Sequence, residues 1–356
     1  MRSVTLLWAL RSPCNLGCRY CYFGTVEDHR DAPLTQPGTL SHLARTDLAQ
    51  DEVFSFAGGL GDSAVGRVFL AGGEPLIWPP VLDLIATLKH AGIQVVVCTN
   101  GIPLNRPHIT TAILDLDVDA VSVSLDSADP AHNDTWRPAR NHRDGWDQVL
   151  SGVRALLSAR GPRPHPKVGI YAVITRRNLA DITAVPALAA QLGCDYAVPQ
   201  PIALDPDHPL HPELSLRAAD IPALTGALDR LYTAGLPLRL PDLTYPGQVA
   251  ATVRESAGLV RGCFGGHTLF FLQPDGSIWD CPSSLRIAAT PPAARRSVRD
   301  APAPALFGPP RCANDCPLFS GDCVNMWPLM GFDSFLHPAA PGTDGGPAAS
   351  PARSPA

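Results

Sequence analysis

Apolar residues in the first two thirds of the chain follow two alternating rhythms. Short, nearly unbroken apolar runs at 4–10, 67–70, 94–98, 120–125, 167–174 and 196–199 read as strands covered on both faces. A strand buried on one face only would alternate polar and apolar positions. Between them the apolar residues return at helical spacing. The clearest case is 144–159, where Trp146, Val149, Leu150, Val153, Leu156 and Leu157 share one face. Similar patterns occupy 79–91, 105–116, 180–192 and 216–234. Six strand-then-helix units imply right-handed crossovers and a parallel α/β sheet. The count predicts a partial (β/α)6 barrel, short of the eight strands of a closed one.

The pattern changes beyond about residue 236. Apolar runs at 268–272 and 277–280 flank Gln273-Pro274-Asp275-Gly276, which predicts a β-hairpin. Residues 288–310 are rich in Pro and Ala and read as an extended linker. Residues 337–356 carry almost no large apolar side chain and read as a disordered tail.

With 45% hydrophobic and 17% charged residues, the chain can bury a sizeable core. A net charge of −5 gives no electrostatic footprint for nucleic acid or an anionic membrane, and no apolar run reaches the ~18 residues of a membrane span. The N-terminal apolar run is closed by Arg11 and Cys14 without a small-residue cleavage site, so a cytoplasmic location is expected. The ten cysteines therefore read as metal ligands more readily than as disulfides.

Cys14-Asn15-Leu16-Gly17-Cys18-Arg19-Tyr20-Cys21 follows the first strand. Three thiolates at spacings of four and three can converge from one loop onto one metal centre. They lack the paired spacing of zinc sites and are one short of a complete iron–sulfur ligand set. An open coordination position suits a reactive centre. A structural zinc site that borrows a fourth ligand is the plainer alternative.

The triplet, with Tyr20 before its last member, resembles the signature loop of the radical S-adenosylmethionine (SAM) superfamily. Gly72-Gly73-Glu74-Pro75 resembles the family's loop for the methionine amino group, Thr99-Asn100-Gly101 its segment after the third strand, and Ser122-Val123-Ser124-Leu125-Asp126 its ribose-binding segment. His132 and Arg137 follow in the stretch that lies near SAM in relatives. The resemblance implies that Cys14, Cys18 and Cys21 ligate a 4Fe–4S cluster whose open iron binds SAM. Reductive cleavage of SAM then yields a 5′-deoxyadenosyl radical that takes a hydrogen atom from a substrate. The implied SAM contacts are Gly72, Gly73, Glu74, Pro75, Asn100, Ser122, Ser124, Asp126 and Arg137. The fifth strand, 168–174, keeps only part of the family's adenine motif.

Cys263, Cys281, Cys312, Cys316 and Cys323, with Gly276 five residues before Cys281, resemble the C-terminal extension of SPASM and twitch proteins. That implies an auxiliary 4Fe–4S cluster held by four of the five, and a four-cysteine zinc site remains the alternative. The implied division is a radical SAM core at 1–235, a cysteine-rich iron–sulfur domain at 236–336 and a tail at 337–356. Cys98 and Cys194 are expected as core thiols.

Two substrate classes fit such a family member. One is a ribosomally made precursor peptide that is crosslinked, given a thioether or epimerised; the other is a small sugar- or aminocyclitol-type metabolite that is dehydrogenated. An iron–sulfur redox sensor without turnover is a third reading. The first strand begins near residue 4, which leaves no N-terminal peptide-recognition domain in cis and lowers the peptide reading, although a separate protein can supply recognition. A flavodoxin- or ferredoxin-type donor would supply electrons.

Overall fold

The structure, a computed structural model, describes residues 3–22, 47–141, 145–254, 258–309 and 314–337. Cys312 and residues 338–356, which hold nearly all of the expected tail, lie outside the described residues.

The six expected strands are present as β1 (Val4–Ala9), β2 (Val65–Ala71), β3 (Gln94–Thr99), β4 (Ala120–Ser124), β5 (Lys167–Ile174) and β6 (Tyr196–Pro201). All neighbours pair in parallel in chain order. Helices α1 (Gln50–Gly59), α2 (Val81–His90), α3 (Pro107–Asp115), α4 (Pro130–Trp136), α5 (Trp146–Arg160), α6 (Ala184–Leu192), α7 (Ile221–Thr233) and α8 (Tyr245–Arg254) follow the connections.

Period-two alternation sorts the strand residues. Leu6, Trp8, Val68, Leu70, Val95 and Val97 enter the core beneath the helices, whereas Leu7, Ala9, Phe69, Ala71 and Val96 face the concave side. Both faces are apolar because both are covered.

The C-terminal region is built into the same sheet. β8 (Leu269–Leu272) pairs in parallel with β1, then β9 (Ser277–Trp279) and β10 (Arg296–Ser297) continue antiparallel, giving the order β10-β9-β8-β1-β2-β3-β4-β5-β6. β6 and β10 end this order, so the sheet stays open. The expected hairpin is thus β8–β9. Its turn is closed by Gly276 N donating to Gln273 O at 3.0 Å, with Gly276 at φ +91°, a region glycine enters without strain.

The expected linker is corrected by the structure. Within 288–310, Arg296–Ser297 joins the sheet and Ala303–Leu306 forms a helical turn. Phe307 is fully buried, with its ring 5.2 Å from Phe270 and 6.1 Å from Phe56. Pro and Ala composition hid an aromatic anchor.

The remaining strands, β7 (Val260–Cys263) and β11 (Asn314–Cys316), pair with each other. After them, α9 (Gly321–Met330) and the turn Asp333–Leu336 fill the concave side of the open barrel. Phe332 meets Phe69 edge-on at 5.0 Å, and Phe335 stacks on Tyr196 at 4.8 Å. No periodic signal in the sequence pointed to this plug.

Candidate active site

A cavity of 270 Å³ opens at the carboxyl ends of β1–β6, above the plug. Cys14, Cys18 and Cys21 all line it, together with Gly72, Gly73, Asn100, Ser122, Ser124, Asp126 and Arg137. Parallel α/β sheets place their sites at this end because the loops there converge.

The cysteine loop is held from two sides. On one side Gly73 N donates to Arg11 O at 2.7 Å and Glu74 N to Pro13 O at 2.9 Å. Gly72 has φ +125°, and a Cβ there would stand 2.8 Å from Arg11 O. A Cβ on Gly73 would run into the carbonyl oxygens of Pro13 and Ser12. The glycine pair thus lets two loops lie backbone to backbone. On the other side, the segment after α4 grips the loop: Gly17 N donates to Pro138 O at 2.8 Å and Arg19 N to Trp136 O at 2.9 Å.

Glu74 and Pro75 do not line the cavity. Glu74 is fully buried and accepts from Leu76 N at 3.0 Å, Thr99 Oγ1 at 2.8 Å and Asn100 N at 2.7 Å. It ties the glycine loop to the end of β3, and burial raises its carboxyl to about 7. Asn100 in turn donates from Nδ2 to Asn15 Oδ1 at 2.7 Å, inside the cysteine loop.

Asp126 is a second knot. Tyr20 Oη donates to its Oδ2 at 3.0 Å, Arg137 pairs with the same oxygen at 2.9 Å, and Val173 N donates to Oδ1 at 2.8 Å. Ser122 shares a hydrogen bond with Tyr196 Oη at 2.8 Å. Ser124 faces the cavity without a protein partner among the described residues. His132 packs near Trp136, at 6.5 Å between ring centres, and does not line the cavity. Cys194 is a core thiol, 3% exposed, whereas Cys98 corrects the expectation by lining the cavity.

The C-terminal cysteines come together from separate elements. Cys263 ends β7, Cys316 ends β11, Cys281 follows β9 and Cys323 lies in the first turn of α9. Cys316 lies near enough to Cys263, and Cys263 and Cys323 near enough to Cys281, for each thiol to feel its neighbours electrostatically. Tyr22, directly after Cys21, spans from the cavity wall to this group. Its Oη donates to Pro282 O at 2.7 Å, beside Cys281.

The thiol chemistry fits iron–sulfur ligation. Burial, followed by the Glu74 carboxylate, pushes Cys14 up to about 12, and burial pushes Cys323 up to about 12. Such groups become thiolates only when a cation compensates them. Backbone N–H groups already point at the sulfurs: Leu16 N lies 3.4 Å from Cys14 Sγ and Gly265 N 3.4 Å from Cys263 Sγ. Donors of this kind support charged sulfur. Among the described residues no three His, Cys, Asp or Glu side chains close on a point suited to one ion.

A family model described as the Radical SAM superfamily matches residues 13–185, the span from the cysteine loop through β5 into α6. Residues 13–185 thus carry a radical SAM domain. Members use a 4Fe–4S cluster and SAM. Mycofactocin maturase MftC of Mycobacterium tuberculosis is 28% identical over 290 residues, covering 79% of this chain and 65% of its own length. The chain therefore spans just under two thirds of that relative. Among solved structures, native anSMEcpe with bound AdoMet aligns with a TM-score of 0.61 at 17% identity, covering 86% of this chain and 81% of that one. Streptococcus suis SuiB bound to precursor peptide SuiA aligns with a TM-score of 0.58 at 14% identity, covering 92% and 66%. These likenesses establish the radical SAM fold with its open parallel sheet. Among the described residues, no helix is long and apolar enough to cross a membrane.

Sequence reasoning missed several cavity residues. Tyr22 sits beside Cys21 and was within reach as an aromatic extension of the motif. Tyr171, Gln200 and Asn325 gave no signal, because a lone polar residue inside a strand or helix resembles any other until the fold shows what it faces.

Proposed function

We propose that this protein is a radical SAM enzyme that modifies a ribosomally made peptide. The observation that carries the reading is the single cavity faced by Cys14, Cys18 and Cys21, with Tyr22 reaching from its wall to the second cysteine group. A maturase among the relatives and a neighbouring fold solved with a precursor peptide support the peptide class over a sugar or aminocyclitol.

Cys14, Cys18 and Cys21 would hold the SAM-binding 4Fe–4S cluster. Cys263, Cys281, Cys316 and Cys323 would hold an auxiliary one. When bound, the reduced cluster and SAM supply a 5′-deoxyadenosyl radical able to take a hydrogen atom from an unactivated carbon.

The chain's own residues hold and shield. Gly72 and Gly73 expose backbone at the cavity rim, and Ser124 offers a free hydroxyl to a ribose. Asp126, spent on Tyr20, Arg137 and Val173, orders the nucleotide side as a brace. Arg137 keeps one positive charge beside Cys18 and would offer a guanidinium to the carboxylate of SAM. Phe69, Met326 and Leu329 make the floor apolar and keep water from a reactive carbon. A flavodoxin- or ferredoxin-type donor and a separate peptide-recognition protein complete the proposal.

The test is anaerobic reconstitution with iron, sulfide, dithionite and SAM. Formation of 5′-deoxyadenosine is expected, and its absence refutes the enzyme reading. Adding the product of a short neighbouring gene should change that peptide's mass. A mass change in a sugar intermediate, with none in the peptide, would overturn the substrate class.

A further inference from the structure

Two residues that line the cavity each carry a buried polar atom without a partner among the described residues. The atoms are Tyr171 Oη on β5 and Asn325 Oδ1 on α9. Buried polar groups in folded proteins are nearly always paired, so an orphan beside a cavity points to a ligand. The orientation of the Asn325 amide follows from its other half. Nδ2 donates to Pro201 O at 3.1 Å, which leaves Oδ1 as the free acceptor. Asn325 is only 9% exposed, so bulk water does not compensate it.

The two residues belong to one wall of the cavity. Tyr171 stands opposite Val198 on β6. Gln200, two residues further on the same strand face, lines the cavity and donates from Nε2 to Asn325 O at 3.3 Å. Around these groups the lining is apolar, with Val173, Ile202, Met326 and Leu329. A sugar would bring more hydroxyls than this wall can pair. A carboxamide brings one donor and one acceptor set in an otherwise apolar outline. Asn325 comes from the helix that carries Cys323, away from Gly72, Gly73 and Ser124 at the ends of β2 and β4, while Tyr171, the register partner of Ser124, stands where this wall meets the nucleotide side.

We propose that Tyr171, Gln200 and Asn325 form a substrate subsite for a peptide unit. Asn325 Oδ1 accepts an amide N–H and the Tyr171 hydroxyl donates to an amide carbonyl. The proposal deepens the peptide reading above and rests on it.

The probe is N-acetylglycine N-methylamide, with methyl glucoside as comparator. Binding is followed by saturation-transfer NMR on the anaerobic, oxidised holoenzyme with SAM. The intact protein should transfer saturation to the amide and little to the glucoside. Tyr171→Phe, which removes one oxygen, and Asn325→Leu should each weaken amide binding about threefold to tenfold. Asn325→Asp loses the Pro201 bond but keeps the acceptor, and should bind more tightly than Asn325→Leu. A merely structural Asn325 would make the Asp and Leu variants alike, and that result overturns the proposal. So do undiminished amide binding in Tyr171→Phe and a preference for the glucoside. If 5′-deoxyadenosine forms but the amide does not bind, the subsite fails while the enzyme reading stands. If no 5′-deoxyadenosine forms, the enzyme reading fails whatever the NMR shows.

Discussion

The two cysteine groups are built by opposite strategies. Cys14, Cys18 and Cys21 occupy eight consecutive residues, and the fold's task is to brace that one loop against the glycine pair and the segment after α4. Cys263, Cys281, Cys316 and Cys323 arrive from two paired strands, a hairpin end and a helix. No local segment of that second group holds its geometry. The first group should therefore tolerate changes far from its loop, and the second should depend on the packing of the whole C-terminal region.

The largest expected effect tests the division itself. Cys18→Ala should reduce 5′-deoxyadenosine formation to background and lower bound iron from about eight to about four per chain. Retained SAM cleavage would remove Cys18 from the first group.

Gly73→Ala attacks the brace rather than the ligands. Because the new Cβ meets backbone carbonyls that cannot rotate away, a loss of about 1–3 kcal/mol in stability is expected. Iron should be lost from the first group only, and a variant with normal melting and full iron content would show that the brace is dispensable.

Cys281→Ala should leave substrate-free SAM cleavage measurable, lose about four irons and abolish modified product. Loss of SAM cleavage would mean that the two groups act as one.

Gly276→Ala gives the smallest change. Its φ of +91° and a Cβ position 2.9 Å from side-chain atoms of Leu48 and Val298 predict a cost of about 1–2 kcal/mol. The hairpin feeds Cys281, so any iron loss should fall on the second group. Equal loss from both would break the contrast.

Much of the scaffold was legible because it is periodic. β1–β6 and the helices between them each bury a repeating face, and repetition survives in a sequence. The first cysteine group was legible because its three thiols share one loop. The reason for Gly72 and Gly73 was only half visible. Their place in the motif suggested close approach to a ligand, and the structure adds a close approach to the cysteine loop's own backbone. Glu74 looked like a ligand contact by its place in the motif and is a buried tie between loops.

The chain's letters alone determined where strands and helices alternate, and that three thiols would share one loop, since both depend on neighbours a few residues away. Only the folded arrangement decided that Phe307 anchors a Pro-rich stretch, that Phe332 and Phe335 plug the barrel, and that Tyr171 and Asn325 share a wall. Those outcomes rest on contacts between residues far apart in the chain, which no short-range pattern encodes.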